Sequence, residues 1–152
     1  MRLTDILHID CVKVSLASET KQDAIYELVD LLGNRRGIRE TERLKCAVWE
    51  RELTRTTGIG HGIAIPHGKC IGCRKLHMAI GRPCQPLDFG AIDGEPVDLI
   101  FLLASPLDQT GPHIQALAQL SRMLTDQDFR HDLKRANTAE EIYELIQQRE
   151  AK

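Results

Sequence analysis

The stretch VDLIFLLA at positions 97–104 is a nearly continuous apolar run of strand length. A run of this kind without polar alternation marks a central strand covered on both faces, so helices are expected on both sides of its sheet. Just upstream, residues 76–82 read as a second strand, and Pro83, which has no N–H, limits how far it can pair. Earlier still, TTGIGHGIAIPHGK at 56–69 interleaves four glycines with Ile59, Ile63 and Ile65. That is too glycine-rich for a helix and is patterned for short, sharply bent strands whose backbone comes close to something.

Two amphipathic helices precede these strands. In 20–32 the residues Ile25, Leu28, Val29 and Leu32 fall at i, i+3, i+4 and i+7, with Thr20 and Asp23 as capping pair and Gly33 as the stop. In 40–53 the stripe is Leu44, Ala47 and Val48, and the next position in that series is Arg51, which brings a charge out at the helix end. Downstream of 97–104, Gly111 and Pro112 fit the N-cap and N1 positions of a helix with the stripe His113, Leu117, Leu120 and Leu124. A short helix near 128–135 follows, then another opened by Thr138 with Glu141 and carrying Ile142, Leu145 and Ile146 inward. Helices, then strands, then helices again lack the strict alternation of a doubly wound fold. The expected class is α/β, a mixed β-sheet sandwiched between helices.

A length of 152 residues suits one domain over 1–152. With 42% hydrophobic and 28% charged residues the composition is that of a globular protein. Twenty Lys plus Arg against 22 Asp plus Glu leave a net charge of −2, without the basic excess that nucleic-acid backbones require. No apolar stretch approaches the roughly 20 residues of a membrane span, and MRLTDILHIDC makes a poor signal peptide. A cytoplasmic location is expected. The five cysteines, Cys11, Cys46, Cys70, Cys73 and Cys84, are an odd set without framework spacing and read as thiols.

The chemistry concentrates on IPHGK. A histidine that is largely neutral near pH 7 accepts and releases a phosphoryl group readily, provided one tautomer is fixed and donors surround the phosphate oxygens. Pro66 restricts Ile65 to an extended conformation and Gly68 is expected to let the chain turn directly after His67, so the ring sits on a stiff mount. The glycine-rich backbone, including Gly58 and Gly68, is suited to supporting the phosphate. Arg51 offers a fork of donors and His113 a position in the first turn of a helix, both suited to anions. For Arg51 the alternative is a cation completing the last turn of its helix, and for His113 a histidine at a core edge.

Four segments in register, TTGIGHGIAIPHGK, RELTR beginning at Arg51, FGAIDGEPVDLIFLLASP at 89–106 and DQTGPHIQAL at 108–117, resemble the IIA domains of the fructose and mannitol branch of the bacterial phosphoenolpyruvate phosphotransferase system (PTS, EIIA type 2), most of all its stand-alone nitrogen-regulatory members. The resemblance implies that His67 is phosphorylated by an HPr/NPr-type phosphocarrier protein. It also implies that His113 is the second active-site histidine, that Arg51 is the active-site arginine and that Thr57 is a hydroxyl near the site. An ordinary turn hydroxyl remains an equal reading of Thr57. Catalysis would come from positioning and charge neutralisation, with no cofactor and no metal. Downstream partners would be a IIB protein in a sugar-specific member or regulatory target proteins in a nitrogen-regulatory one, without membrane insertion.

Two features depart from the resemblance. His61 stands where many members carry Asn, and reads as an exposed loop side chain. Together His61, His67, Cys70 and Cys73 supply ligand types that suit zinc, which makes a zinc-binding structural domain a weaker alternative. A Cys70–Cys73 redox switch is a further possibility, two incidental thiols near a turn the plainer one.

Overall fold

In the computed structural model, which describes residues 1–151, the sheet contains strands β1 (Leu7–Leu16), β2 (Gly58–Gly60), β3 (Ile63–Ala64), β4 (His67–Lys69), β5 (His77–Pro83) and β6 (Leu99–Ser105). Helices α1 (Lys21–Arg36), α2 (Thr41–Thr54), α3 (Thr110–Met123), α4 (Gln127–Arg135) and α5 (Ala139–Glu150) cover it. The strand order is β1-β5-β6-β3-β2, and β4 pairs β6 beyond β3 along the same edge. The β1/β5, β3/β6 and β4/β6 pairs are parallel, whereas β5/β6 and β2/β3 are antiparallel. The sheet is therefore mixed, as the interrupted order of elements requires.

Every residue of β6 is buried, and its side chains alternate between two cores. Leu99, Phe101 and Leu103 join Met78, Ile80, Leu120, Leu133, Ile142 and Ile146 on the face covered by α3, α4 and α5. Ile100, Leu102 and Ala104 join Ile25, Leu28, Leu32, Leu44 and Val48 on the face covered by α1 and α2. This two-sided burial is the physical reason that 97–104 lacks polar alternation.

Several expectations shift. After a single 3-10 turn at Leu3–Asp5 comes β1, an edge strand that the sequence pattern did not reveal because irregularities between Leu7 and Val12 and between Lys13 and Leu16 break its alternation. Gly33 does not stop α1, which continues to Arg36 and ends on Gly37 with φ 68°. A Cβ on Gly33 would lie 2.7 Å from Cγ2 of Thr41, so that glycine serves the close approach of α2. Thr20 does cap α1, accepting from the Asp23 N–H at 3.1 Å. Helix α3 is capped by Gln109 rather than Gly111, with Thr110 as its first residue. Thr138 caps α5 by accepting from the Glu141 N–H.

Candidate active site

Strand β4 carries His67 on the β6 edge, opposite Leu103, while Ser105 at the end of β6 leads into α3. His67 and His113 thereby meet: their ring centroids are 5.4 Å apart with planes inclined at 61°. His67 is half-buried, and its Nδ1 lies 2.9 Å from the carbonyl oxygen of Ile65. Because a carbonyl only accepts, Nδ1 carries the hydrogen and Nε2 keeps its lone pair. Pro66 follows Ile65 and fixes the backbone on which this bond depends. Burial holds the His67 pKa below its ordinary value; the Ile65 bond opposes this, Arg51 adds to it, and Glu52 opposes it. The neutral ring is thus the resting form near pH 7.

His113 is buried, with Nδ1 hydrogen-bonded to Oγ of the fully buried Ser105. Burial, then His67 and Lys69, push its pKa down to about 4. Lys69 lies two residues along β4 from His67, hence on the same side of the strand, and its Nζ donates to Oγ1 of Thr110 at 2.7 Å. Arg51 is half-buried in the last turn of α2, where one N–H donates to the carbonyl of Arg55 at 2.9 Å. It thus completes its helix end and also stands near enough to His67 for its charge to act there.

Thr57 lies beside the mount of His67, its carbonyl accepting from the Ile65 N–H at 3.0 Å. Its hydroxyl and N–H both donate to the Glu52 carboxylate, at 2.5 and 2.8 Å, so its proton is committed to that group. Glu52 is 2% exposed and also pairs with Lys21 at 3.0 Å. Sequence reasoning missed it, although Leu44, Val48 and Glu52 continue one stripe at four-residue spacing. Ser105 and Lys69 were missed as well, and only their places at the ends of β6 and β4 disclose them.

The glycines act through close packing. Gly68 lies inside β4 rather than in a turn, and a Cβ there would stand 2.8 Å from Cγ2 and 3.0 Å from the backbone nitrogen of Val48 in α2. Gly58 faces Ala91 at 2.8 Å, and its N–H already donates to Oγ1 of Thr56. His61 and Gly62 join β2 to β3 with φ of 59° and 78°, the left-handed pair that a two-residue hairpin favours. The exposed His61 side chain is thus secondary to its backbone role, which Asn tolerates equally. Cys70 and Cys73 turn away into the α1/α2 core, and all five cysteines are free thiols. Among the described residues no three His, Cys, Asp or Glu side chains converge to hold a metal, so the zinc alternative finds no site.

Residues 5–149 match the family described as phosphoenolpyruvate-dependent sugar phosphotransferase system, EIIA 2, and the chain belongs to that family. It is 34% identical over 146 residues to a nitrogen regulatory protein of Bradyrhizobium diazoefficiens, covering 96% of this chain and 95% of the relative. It is also 32% identical over 148 residues to the fructose-specific EIIABC component of the Bacillus subtilis system, covering 97% of this chain but 23% of that relative. The crystal structure of nitrogen regulatory protein IIA-Ntr from Neisseria meningitidis superposes with a TM-score of 0.86 at 30% identity, covering 93% of this chain and 97% of that one. No helix among the described residues is long and apolar enough to cross a membrane.

Proposed function

We propose that residues 1–152 act as one phosphocarrier domain in which Nε2 of His67 takes a phosphoryl group from the phosphohistidine of an HPr/NPr-type carrier in the cytoplasm. The observation that supports this most directly is the 2.9 Å bond from His67 Nδ1–H to the Ile65 carbonyl. The Nε2 lone pair attacks phosphorus, the P–N bond to the carrier breaks, and the departing nitrogen keeps that bond's electron pair. The positive charge left on the phosphorylated ring is shared through Nδ1–H with the Ile65 carbonyl dipole, which favours the product.

Arg51 and Lys69 supply positive charge for the phosphoryl oxygens, and neutral His113 supplies a donor. We assign Ser105 Oγ–H as the donor to Nδ1 of His113, which puts the ring hydrogen on Nε2, free for a phosphoryl oxygen. Thr57, Gly58 and Gly68 support the site at one remove: Thr57 anchors the buried Glu52, and the glycines let α2 and the 89–92 segment approach. The near-complete match to a whole nitrogen regulatory protein favours a regulatory IIA whose phosphorylation state selects target proteins. The second reading, delivery to a fructose- or mannitol-type IIB, is favoured by the match to the fructose-specific relative.

Incubation with phosphoenolpyruvate and the general phosphotransferase proteins should add one acid-labile phosphate per chain, with none on His67→Ala. Equal labelling of that variant would overturn the assignment. A pull-down with His67→Asp and His67→Ala separates the two roles, since a regulatory member should change partners with the state of this residue.

A further inference from the structure

On the far side of the turn that follows β4, the connection between α1 and α2 and the residues leading into β5 enclose a cavity of about 510 Å³. Its lining holds Arg36, Arg39, Arg74, Lys75 and His77, and not one carboxylate. Such a concentration is unexpected in a chain whose net charge is −2. Arg36 is tied to Asp10 at 2.7 Å, but its Nε is buried without an acceptor. Among the described residues Arg39, Arg74 and Lys75 take part in none of the ion pairs. Cations in the last turn of α1 are accounted for by the helix dipole. That accounts for Arg36, and leaves the other three unexplained.

The backbone around these charges is closely packed. A Cβ on Gly72 would fall 1.9 Å from the carbonyl oxygen of Arg39, so the turn is pressed against the α1–α2 connection, and the Arg39 N–H donates to the Gly72 carbonyl at 3.4 Å. His77 is buried at the cavity's sheet side, and burial, Lys75, Arg36 and His8 push its pKa down to about 4. Burial is the main cause of that shift, and the smaller part owed to Lys75, Arg36 and His8 is repulsion that a bound anion would relieve.

We propose that this cavity is a binding site for a small anion of the diphosphate class, held by Arg36, Arg39, Arg74 and Lys75. Three unpaired cations and one partly used one balance the roughly three negative charges of a diphosphate near neutral pH, and arginine forks suit its oxygens. A volume of this size also has room for an attached nucleoside. The site is separate from the His67 assignment and stands or falls independently of it.

The test is calorimetric titration of the full chain, at low ionic strength, with inorganic pyrophosphate, ADP and orthophosphate, with amide chemical shifts recorded alongside. Pyrophosphate is expected to bind one per chain and about tenfold more tightly than orthophosphate, shifting the Gly72 and His77 amides. Tighter binding of ADP identifies a nucleoside diphosphate; equal binding identifies the diphosphate group alone. The exposed double charge reversal Arg74→Glu with Lys75→Glu should weaken pyrophosphate about tenfold or more while leaving the circular dichroism unchanged. Arg39→Glu provides a second folded variant with the same expected direction. The proposal is overturned by no saturable binding in the millimolar range, by affinity indifferent to these reversals, or by shifts confined to Lys69 and His113. Preference for an acidic peptide or oligonucleotide over both diphosphates overturns it too.

Discussion

His67 and His77 lie at opposite ends of the same turn, each with its basicity lowered mainly by burial and each near arginine and lysine, yet only one has the makings of a phosphoryl acceptor. His67 is half-exposed on β4, with Nδ1 engaged by a carbonyl and a second imidazole across from it. His77 is buried beneath a basic cavity in which Arg36 is paired with Asp10 while Arg39, Arg74 and Lys75 take part in no ion pair among the described residues. Cations around a neutral histidine are therefore common to a reactive site and a binding site. Tautomer control and access distinguish the first.

The largest effect is removal of the ring itself, since His67→Ala leaves nothing to label; removal of what surrounds it comes next. His113→Ala or Arg51→Ala should slow phosphoryl transfer by about 10²-fold, the usual loss when one preorganised donor to developing charge is deleted. Rapid-quench labelling measures this, and Arg51→Lys should recover part of the rate, because charge returns without the fork. Rates within a factor of about two of wild type would place the stabilising charge elsewhere, with Lys69 the first candidate.

The same contrast explains what the sequence disclosed. The acceptor candidate was legible because Ile65, Pro66 and His67 act through adjacent backbone, and the central strand was legible because both its faces are buried. Arg51 and His113 were legible as anion-binding types on helix ends, although their meeting at His67 depends on the sheet. Strand β1 was hidden by its register irregularities, and Gly33 and Gly68 were misread because close approach and turning look alike in one dimension. Glu52 showed its burial in the Leu44 and Val48 stripe but not its partners, and the basic cavity showed nothing, because Lys21 and Thr57 in one case and Arg36 to His77 in the other come from separate elements.

Stability sharpens the comparison further. Glu52→Ala would leave the buried Thr57 N–H without its acceptor and Lys21 with only the Phe89 carbonyl, a loss of about 3 kcal/mol, or roughly 6–12 °C in Tm for a chain of this size. Glu52→Gln, which keeps hydrogen bonding, should lose less. Acid acts through both regions at once. His113 and His77 have folded pKa values of about 4 against an ordinary 6.5, so the unfolded chain binds protons that the folded one refuses. Their stabilising contribution is complete above about pH 6.5 and is lost as pH falls toward 4, roughly 2–3 kcal/mol for each. Urea unfolding at pH 7 and pH 4.5 reads the sum, and His77→Gln should flatten the dependence by its share. Pyrophosphate should flatten it further only if the cavity binds anions.

The smallest effect, and the finest test of the mount, is Gly68→Ala. The new methyl would sit 2.8 Å from Cγ2 of Val48, which can yield, and 3.0 Å from the backbone nitrogen, which cannot without moving α2. Overpacking of this order costs about 1–2 kcal/mol in thermal melts. Its kinetic signature is more informative than its stability cost, because the shift is carried by α2 and β4, the elements that hold Arg51 and His67. Arg51 would move relative to His67 while the Ile65 carbonyl bond stays in place, so nucleophilicity is retained and charge stabilisation is weakened. The transfer rate at saturating carrier should therefore fall while apparent carrier affinity is unchanged, and a second change, Val48→Ala, should restore much of it by making room. A Gly68→Ala variant that melts lower yet transfers at the wild-type rate would show that the spacing between α2 and β4 does not set the geometry of the reaction.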